Sequence, residues 1–579
     1  MAAHRLELST PPKKVSAWIA ETDPKAARQW LDALPMADTA AASQEVYQAL
    51  YTLNRLEIGP NERFKLMELY REPVNTLTLA LQSHFKSAVL PLTAKKRQLA
   101  EFIRQLQAEM AYGYKLTIQG LVESRLLWGK NKLNAMATEG ALYYLGEVLN
   151  KSYQVYMPCP PGVWKEIHAL YGYGEDNDWF GESLDLDADP DTVSAPYRRY
   201  LRIALLGLCN PYQLSEQEWQ HVLQFLDRWA DRAAMGTELS VNNPAGLFLV
   251  DITSDSPPVS FPKDISFGLS GDHRVLNTLG VSRVIQDFIV RIRKGQKIST
   301  DELGMDCLEN VSLDMLRKMI RFWGLGVRRK RPRQKAKGIS LVAYGINAVH
   351  FFGSNQKPFV PPETSEDFSD NPFDRITERL DPDDLPIDTD SVFIDLENPA
   401  NIVPSKAESQ EELTPIVTPR PQEIYRVERW RIEDESINGM LLTHDAPERH
   451  RLRVGDVLGV QDVSRDDQWR IGVVRWIKTP SANTIQMGIE MIAPGFVPVA
   501  VRMADKPLSA GNTFVQALLL SPVSALKLPA SVILPKGLYK PKQALLIAES
   551  GESPRKIIVL DALAQTATFD QAVFANAAS

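Results

Sequence analysis

Asp434-Glu435-Ser436-Ile437-Asn438-Gly439 is the stretch on which the reading of this chain turns. It follows a strand-like run, Tyr425-Arg426-Val427-Glu428-Arg429-Trp430-Arg431-Ile432, and leads into Met440-Leu441-Leu442. A short acceptor carboxylate, a small hydroxyl two residues on and a glycine make a strand end that can hydrogen-bond a flat heterocycle, because glycine admits close approach and positive φ. Downstream, Leu452-Arg453-Val454-Gly455-Asp456-Val457-Leu458-Gly459-Val460 reads as a turn into a strand. The runs 469–477 and 485–492 then alternate apolar and polar residues with period two, as half-buried strands do.

In this order and spacing the segment resembles the PilZ family, whose members bind the bacterial second messenger cyclic di-GMP. The turn fits that family's D/N-x-S-x-x-G element, and Val474-Arg475-Trp476 and Gly488-Ile489-Glu490-Met491 stand where it has its V-x-W-like and G-I-x-F-like strands. The family's second signature is an R-x-x-x-R pair just ahead of the first barrel strand. Arg329 and Arg333 supply it here, with Arg328 and Arg331 as further candidates beside them, and 338–352 alternates well enough to be the strand that follows. The same interval recurs at Arg198/Arg202, Arg228/Arg232, Arg317/Arg321, Arg375/Arg379 and Arg449/Arg453, so position in the fold makes the choice. Arginine suits the ligand: its guanidinium contacts guanine O6 and N7 in a fork, stacks on purines and pairs with phosphate. The resemblance implies that Arg329 and Arg333 clamp guanine edges and phosphates, that Asp434 accepts from guanine N1 and N2 hydrogens, that Ser436 adds a polar contact and that Gly439 permits the turn.

The chain departs from the family in the long interval between Arg333 and Asp434. Residues 354–423 read as an insertion: Glu363, Glu366, Asp367, Asp370, Asp374, Asp381, Asp383, Asp384, Asp388 and Asp390 crowd it among many prolines. Such composition buries too little apolar surface to offset its ordering entropy, so disorder is expected, with Val392-Phe393-Ile394-Asp395-Leu396 as an apolar island.

At 579 residues the chain is too long for one core, and three or four domains are expected. A net charge of -7 argues against nonspecific nucleic-acid binding as its main task. Three cysteines, Cys159, Cys209 and Cys307, are too scattered for a disulfide framework or a zinc site. No apolar run has the length of a membrane span, and the first residues lack the apolar core of a signal peptide. These features fit a cytoplasmic protein, recruited to the membrane or a cell pole only through a partner.

Residues 23–325 read as mostly helical. Asp23-Pro24 is an N-cap with proline at the first helical position, Leu99, Phe102, Ile103, Leu106 and Met110 recur at helical spacing, and further helices fit 38–56, 62–72, 130–152, 162–174, 193–208 and 215–234. Pro73, Pro160-Pro161 and Asn210-Pro211 are predicted breaks. Trp164, Tyr171 and Tyr173 fit either the core or a partner groove, core packing being the commoner role. The helical pattern lapses between 245 and 275, where 247–252 reads as a strand and 264–271 imitates the recognition turn with its glycine one residue early. Past residue 500, 515–520, 531–534, 544–548 and 556–560 are short strands of a small β module or of a second, degenerate barrel.

No phosphate-cradling, zinc-protease or nucleophile-elbow motif occurs, nor the G-G-D-E-F or E-A-L signatures of enzymes that make or degrade cyclic di-GMP. The expected fold class is therefore a multidomain α+β protein. A helical bundle or solenoid-like module occupies 1–325, a split PilZ-type antiparallel barrel 326–353 and 424–497, the acidic insertion 354–423, and a β module 498–579. The expected function is a non-enzymatic receptor, without metal or cofactor, that couples cyclic di-GMP to a protein partner such as pilus or flagellar machinery and so controls motility, pili or biofilm formation. A PilZ-like adaptor that no longer binds nucleotide is the alternative; a nucleic-acid binder working through residues 328–337 is disfavoured by the lack of interleaved aromatics.

Overall fold

The computed structural model describes residues 6–13, 20–85, 90–123, 130–179, 190–237, 245–261, 269, 271–304, 313–325, 334–362, 425–436, 438–445, 452–463, 468–506, 512–522 and 529–576. The acidic insertion from residue 363 on, with its expected disorder, and most of the imitation turn at 264–271 lie outside these residues. Two compact units divide the described chain near Arg328, the second also taking in residues 89–91.

The first unit opens with α1 (Pro24–Asp32), where the Asp23 side chain accepts from the backbone of Lys25 and Ala26. This is the N-cap expected from the Asp-Pro pair. Next come α2 (Thr39–Leu53), α3 (Pro60–Gln82), α4 (Ala94–Glu123), α5 (Lys130–Gln154), α6 (Val163–Asp176), α7 (Pro190–Leu208) and α8 (Glu216–Trp229). The sequence predicts a break at Pro73, but α3 runs straight through it. Proline removes one helical hydrogen bond, yet Tyr70, Val74, Leu77 and Leu81 are all buried on the same face, and burying that stripe outweighs the lost bond. Leu106, Met110, Tyr114 and Ile118 of α4 line one continuous core with Tyr70 and Tyr144. Trp164 and Tyr171 belong to this core, and Tyr173 packs against it half-buried.

After α8 the chain forms a four-stranded sheet in the order β1 (Ala234–Gly236), β4 (His273–Asn277), β2 (Leu247–Asp251), β3 (Val259–Ser260). Only β2 is legible in the sequence; the others are too short or too polar to show a period. Helices α9 (Leu279–Arg293), α10 (Thr300–Leu303) and α11 (Leu313–Ile320) follow. Trp323, just past α11, is fully buried, stacks on Phe225 at 5.7 Å and donates its indole N–H to the Leu205 carbonyl at 3.0 Å.

The second unit holds two closed antiparallel barrels. The first is built from β5 (Gln334–Tyr344), β6 (Val427–Ser436), β7 (Gly439–Asp445), β8 (Val457–Asp462), β9 (Arg470–Ser481) and β10 (Thr484–Ala493), in the cyclic order β10-β7-β6-β5-β8-β9. The second uses β11 (Val497–Met503), β12 (Val515–Leu520), β13 (Ser531–Pro535), β14 (Ala544–Glu549), β15 (Arg555–Gln565) and β16 (Phe569–Asn576), in the order β11-β12-β13-β16-β15-β14. Of the two readings left open for the C-terminal module, the closed barrel is the one found.

The expected strand 338–352 needs correction. Strand β5 ends at Tyr344, Gly345 adopts φ 78°, and α12 (Gly345–Gly353) follows. Ile346, Val349 and His350 already carry the i, i+3, i+4 spacing of a helix, which the apolar run obscured. Helix α12 joins the barrels: Ile346 and Val349 share a core with Val457, Ile471 and Val473 of the first and Leu518, Leu520 and Ile533 of the second.

Two titratable groups lie in this joint. Burial lowers the His350 imidazole from 6.5 to about 4, although its ring hydrogen-bonds the Val499 backbone. Burial raises the Asp456 carboxyl from 3.8 to about 6, against hydrogen bonds from the Arg453 backbone and Thr568. The signs are opposite. His350 folds neutral, so its contribution is present above 6.5 and is lost as pH falls towards about 4. Asp456 opposes folding while ionised above about 6, and that opposition disappears as pH falls towards 3.8. The pair offset one another in the intact protein. In Asp456→Asn only the histidine remains, and urea unfolding of that variant should show about 2 kcal/mol less stability at pH 4 than at pH 7, with a smaller change in the parent.

Candidate ligand-binding site

The recognition turn closes a hairpin. Ser436 of β6 pairs with Gly439 of β7, and the Ser436 hydroxyl donates to the Gly439 carbonyl at 3.4 Å. The Met491 N–H donates to the Asn438 carbonyl at 2.9 Å, tying the loop to β10. Gly439 is needed for a reason other than the expected positive φ, because its backbone lies outside the left-handed region. A Cβ there would meet the Ile489 carbonyl oxygen at 3.0 Å. A backbone oxygen in a paired strand cannot swing aside, so Gly439→Ala should cost about 1 kcal/mol and Gly439→Val about 2–3 kcal/mol, read as falls in thermal midpoint.

Asp434 sits where two irregularities coincide. The β6–β7 register shifts between Ile432 and Asp434, and the β5–β6 register shifts between Lys335 and Gly338. Bulges of this kind bend a strand and re-aim its side chains, which makes them common beside binding sites. Opposite Asp434 stands Lys335, and opposite Glu435 stands Gln334, the residue that follows Arg333 in the chain. Asp434 and Ser436 are half-buried.

Behind the site, Trp430 is completely buried in the first barrel. Its indole N–H donates to the Tyr344 hydroxyl at 2.7 Å, and that hydroxyl donates to a Glu428 carboxylate oxygen at 2.6 Å. Burial, then Glu428, push the Tyr344 phenol well above its usual range, so it stays a donor. Tyr344 ends β5 and Trp430 lies within β6, so this chain of bonds holds the two strands together from inside. On the exposed side Arg431 bridges Glu433 and Asp445, each at 2.8 Å, and the Thr484 hydroxyl donates to Asp445 at 3.1 Å. Arg431 offsets one of these two negative charges, which lessens the negative field around Asp434.

The structure brings Asp434, Ser436 and Gly439 together at one hairpin. Arg328, Arg329, Arg331 and Arg333 lie outside the described residues. Lys335, Trp430 and Tyr344 are additions that sequence reasoning missed, and only the strand register could have supplied them. Among the described residues no cluster of His, Cys, Asp or Glu could hold a metal ion, and no helix is long and apolar enough to cross a membrane.

A helical module ahead of a six-stranded barrel, whose second and third strands carry the D-x-S-x-x-G turn, is the architecture of a PilZ-domain protein. Three family models match consecutive stretches: "Cyclic-di-GMP receptor FimW, N-terminal domain" over 25–238, "Cyclic-di-GMP receptor FimW, middle PilZ domain" over 247–498, and "FimW C-terminal beta-barrel domain" over 499–577. The chain belongs to this FimW cyclic-di-GMP receptor family. The family's middle domain starts at Leu247, and so takes in β2–β4 and α9–α11, whereas the compact units divide near Arg328. A curated relative, "Cyclic-di-GMP receptor FimW" of Pseudomonas aeruginosa, is 25% identical over 596 aligned positions, covering 99% of this chain and 94% of the relative. No solved structure matches.

Proposed function

We propose that this chain is a cytoplasmic receptor that binds cyclic di-GMP on the outside of its first barrel and passes occupancy to a protein partner of the helical module. In this reading Arg329 and Arg333 grip guanine edges and phosphates, with Arg328 and Arg331 beside them. Asp434 accepts from guanine N–H groups, Ser436 adds a hydroxyl, and Gly439 keeps the hairpin close to β10. Lys335 adds positive charge opposite Asp434. The observation that carries the reading is the β5–β6 register: across the long insertion, the residue next to Arg333 still pairs with the strand end that bears Asp434 and Ser436. Consecutive α-carbons are about 3.8 Å apart, which supports counting Arg333 with the turn as one site.

Residues 326–333 join that site to the segment anchored by Trp323. Ligand held by the arginines acts on this connecting sequence, which gives the helical unit a signal. The output assigned here is control of pili, surface motility or biofilm formation. Calorimetric titration with cyclic di-GMP tests the receptor step. Saturable binding is expected, weakened about tenfold or more in Asp434→Ala, because a buried charge-assisted bond is worth about 1.5–3 kcal/mol. An intact protein that takes up no ligand would instead be the nucleotide-free adaptor.

A further inference from the structure

We propose that the cleft formed by α4, α5 and the start of α6 is a peptide-binding groove for an extended segment of a partner protein, and that this chain's own residues 6–9 occupy part of it as an intramolecular placeholder. Leu6-Glu7-Leu8-Ser9 crosses the cleft and is read chiefly through its main chain. The Gln119 side-chain amide donates to the Leu8 carbonyl at 3.3 Å, and the Ser9 N–H donates to a Glu166 carboxylate oxygen at 2.6 Å. The Lys115 ammonium donates to the Ser9 hydroxyl at 3.3 Å and to the other Glu166 oxygen at 2.8 Å. Lys115 is 1% exposed and lies 4.4 Å from the centre of the Tyr112 ring. A buried lysine–carboxylate pair needs further hydrogen bonds to repay its desolvation. Here a peptide backbone and its hydroxyl supply them.

Among the described residues, the placeholder leaves much of the groove unfilled. About 800 Å³ remains beside it, lined in part by Ala108, Ala111, Leu145, Val148, Pro160 and Val163. That volume lies in the range of ordinary ligand sites and takes apolar side chains that residues 6–9 do not provide. Charge sets the occupant's class. Within the walls Arg104 pairs with Glu101 and Lys115 with Glu166 at 2.8 Å, while Lys165 pairs with Glu7 of the placeholder at 3.9 Å, so among these groups only Lys165 takes a carboxylate from the occupant, too little charge to select a nucleic acid. The fitting partner is an extended strand of Leu-x-Leu-Ser/Thr type, whose first apolar residues and backbone match those that Leu8 and Ser9 display. The inference is independent of nucleotide binding at the barrel.

The probe is a fluorescent peptide copying residues 4–13 of this chain, followed by anisotropy against the full-length protein. In the intact chain the tethered copy competes at an effective concentration on the order of millimolar, so binding in trans should be weak. Leu8→Asp removes the buried anchor and should raise the affinity at least tenfold. Adding Gln119→Ala, which removes the donor to the Leu8 carbonyl, should reverse part of this gain while circular dichroism and the thermal midpoint stay unchanged. A folded Leu8→Asp protein that takes up no peptide overturns the proposal. So does equal affinity of parent and Leu8→Asp, which places binding elsewhere, and so does a concentration-dependent dimer of the parent that Leu8→Asp dissociates, which makes a second copy the occupant.

Discussion

Arg333→Ala should weaken cyclic di-GMP binding by about 2–3 kcal/mol, roughly 30- to 150-fold, while leaving the thermal midpoint nearly unchanged. The size follows from what one guanidinium does at such a site. A forked contact to guanine O6 and N7 is worth about 1–3 kcal/mol of discrimination, and a phosphate contact from the same group adds to it. Arg333→Lys should recover only part of the loss, since an ammonium restores charge but neither the fork nor the stacking plane. Arg449→Ala is the control, because it removes an arginine of equal spacing that follows the turn instead of preceding β5. Titration of the three variants at two salt concentrations separates the contributions. Loss of a phosphate contact flattens the salt dependence, whereas loss of a purely base-edge contact does not. Equal affinities for parent and Arg333→Ala would move the arginine site elsewhere in the chain.

The legible part of this protein is the part in which a local pattern carries the physics. The turn after β6 was identifiable because small polar residues and a glycine stand there at the intervals of the PilZ family's turn. Strands β9 and β10 announced themselves through alternation, β8 through a turn leading into a strand, and α1 through its Asp-Pro cap. What stayed hidden depends on contacts between distant residues. The continuation of α3 through Pro73 is decided by the core beneath it, not by the residue itself. The constraint on Gly439 is set by Ile489, fifty positions away: of the two reasons expected for a glycine there, close approach is found, against a strand the local sequence does not name, and positive φ is not. Helix α12 was taken for strand because an apolar run facing two barrels is buried on several sides and loses its period. The bond from Trp430 to Tyr344 spans the whole insertion, and no spacing rule reaches across it.

That bond makes Trp430→Ala the substitution with the largest expected effect on stability. The side chain is fully buried, and large-to-small changes of an aromatic core residue cost about 3–5 kcal/mol, a large share of a domain's usual 5–15 kcal/mol. Calorimetry should show the barrel's melting temperature falling by on the order of 10 °C or more. Trp430→Phe separates packing from hydrogen bonding. It keeps most of the ring volume, and the Tyr344 hydroxyl retains its acceptor in Glu428, so the loss should be confined to the indole donor, about 1 kcal/mol. The two variants should also differ at the site. Trp430 lies four residues before Asp434 on the strand that pairs with β5, and a cavity there frees the register that sets Gln334 and Lys335 opposite the turn. Below its melting transition Trp430→Ala should therefore bind cyclic di-GMP more weakly than the parent, and Trp430→Phe nearly as well. Parent-like affinity in a destabilised Trp430→Ala protein would mean that the covalent path and the hairpin fix the site without the interior bond, and that the β5–β6 register follows from the barrel's closure alone.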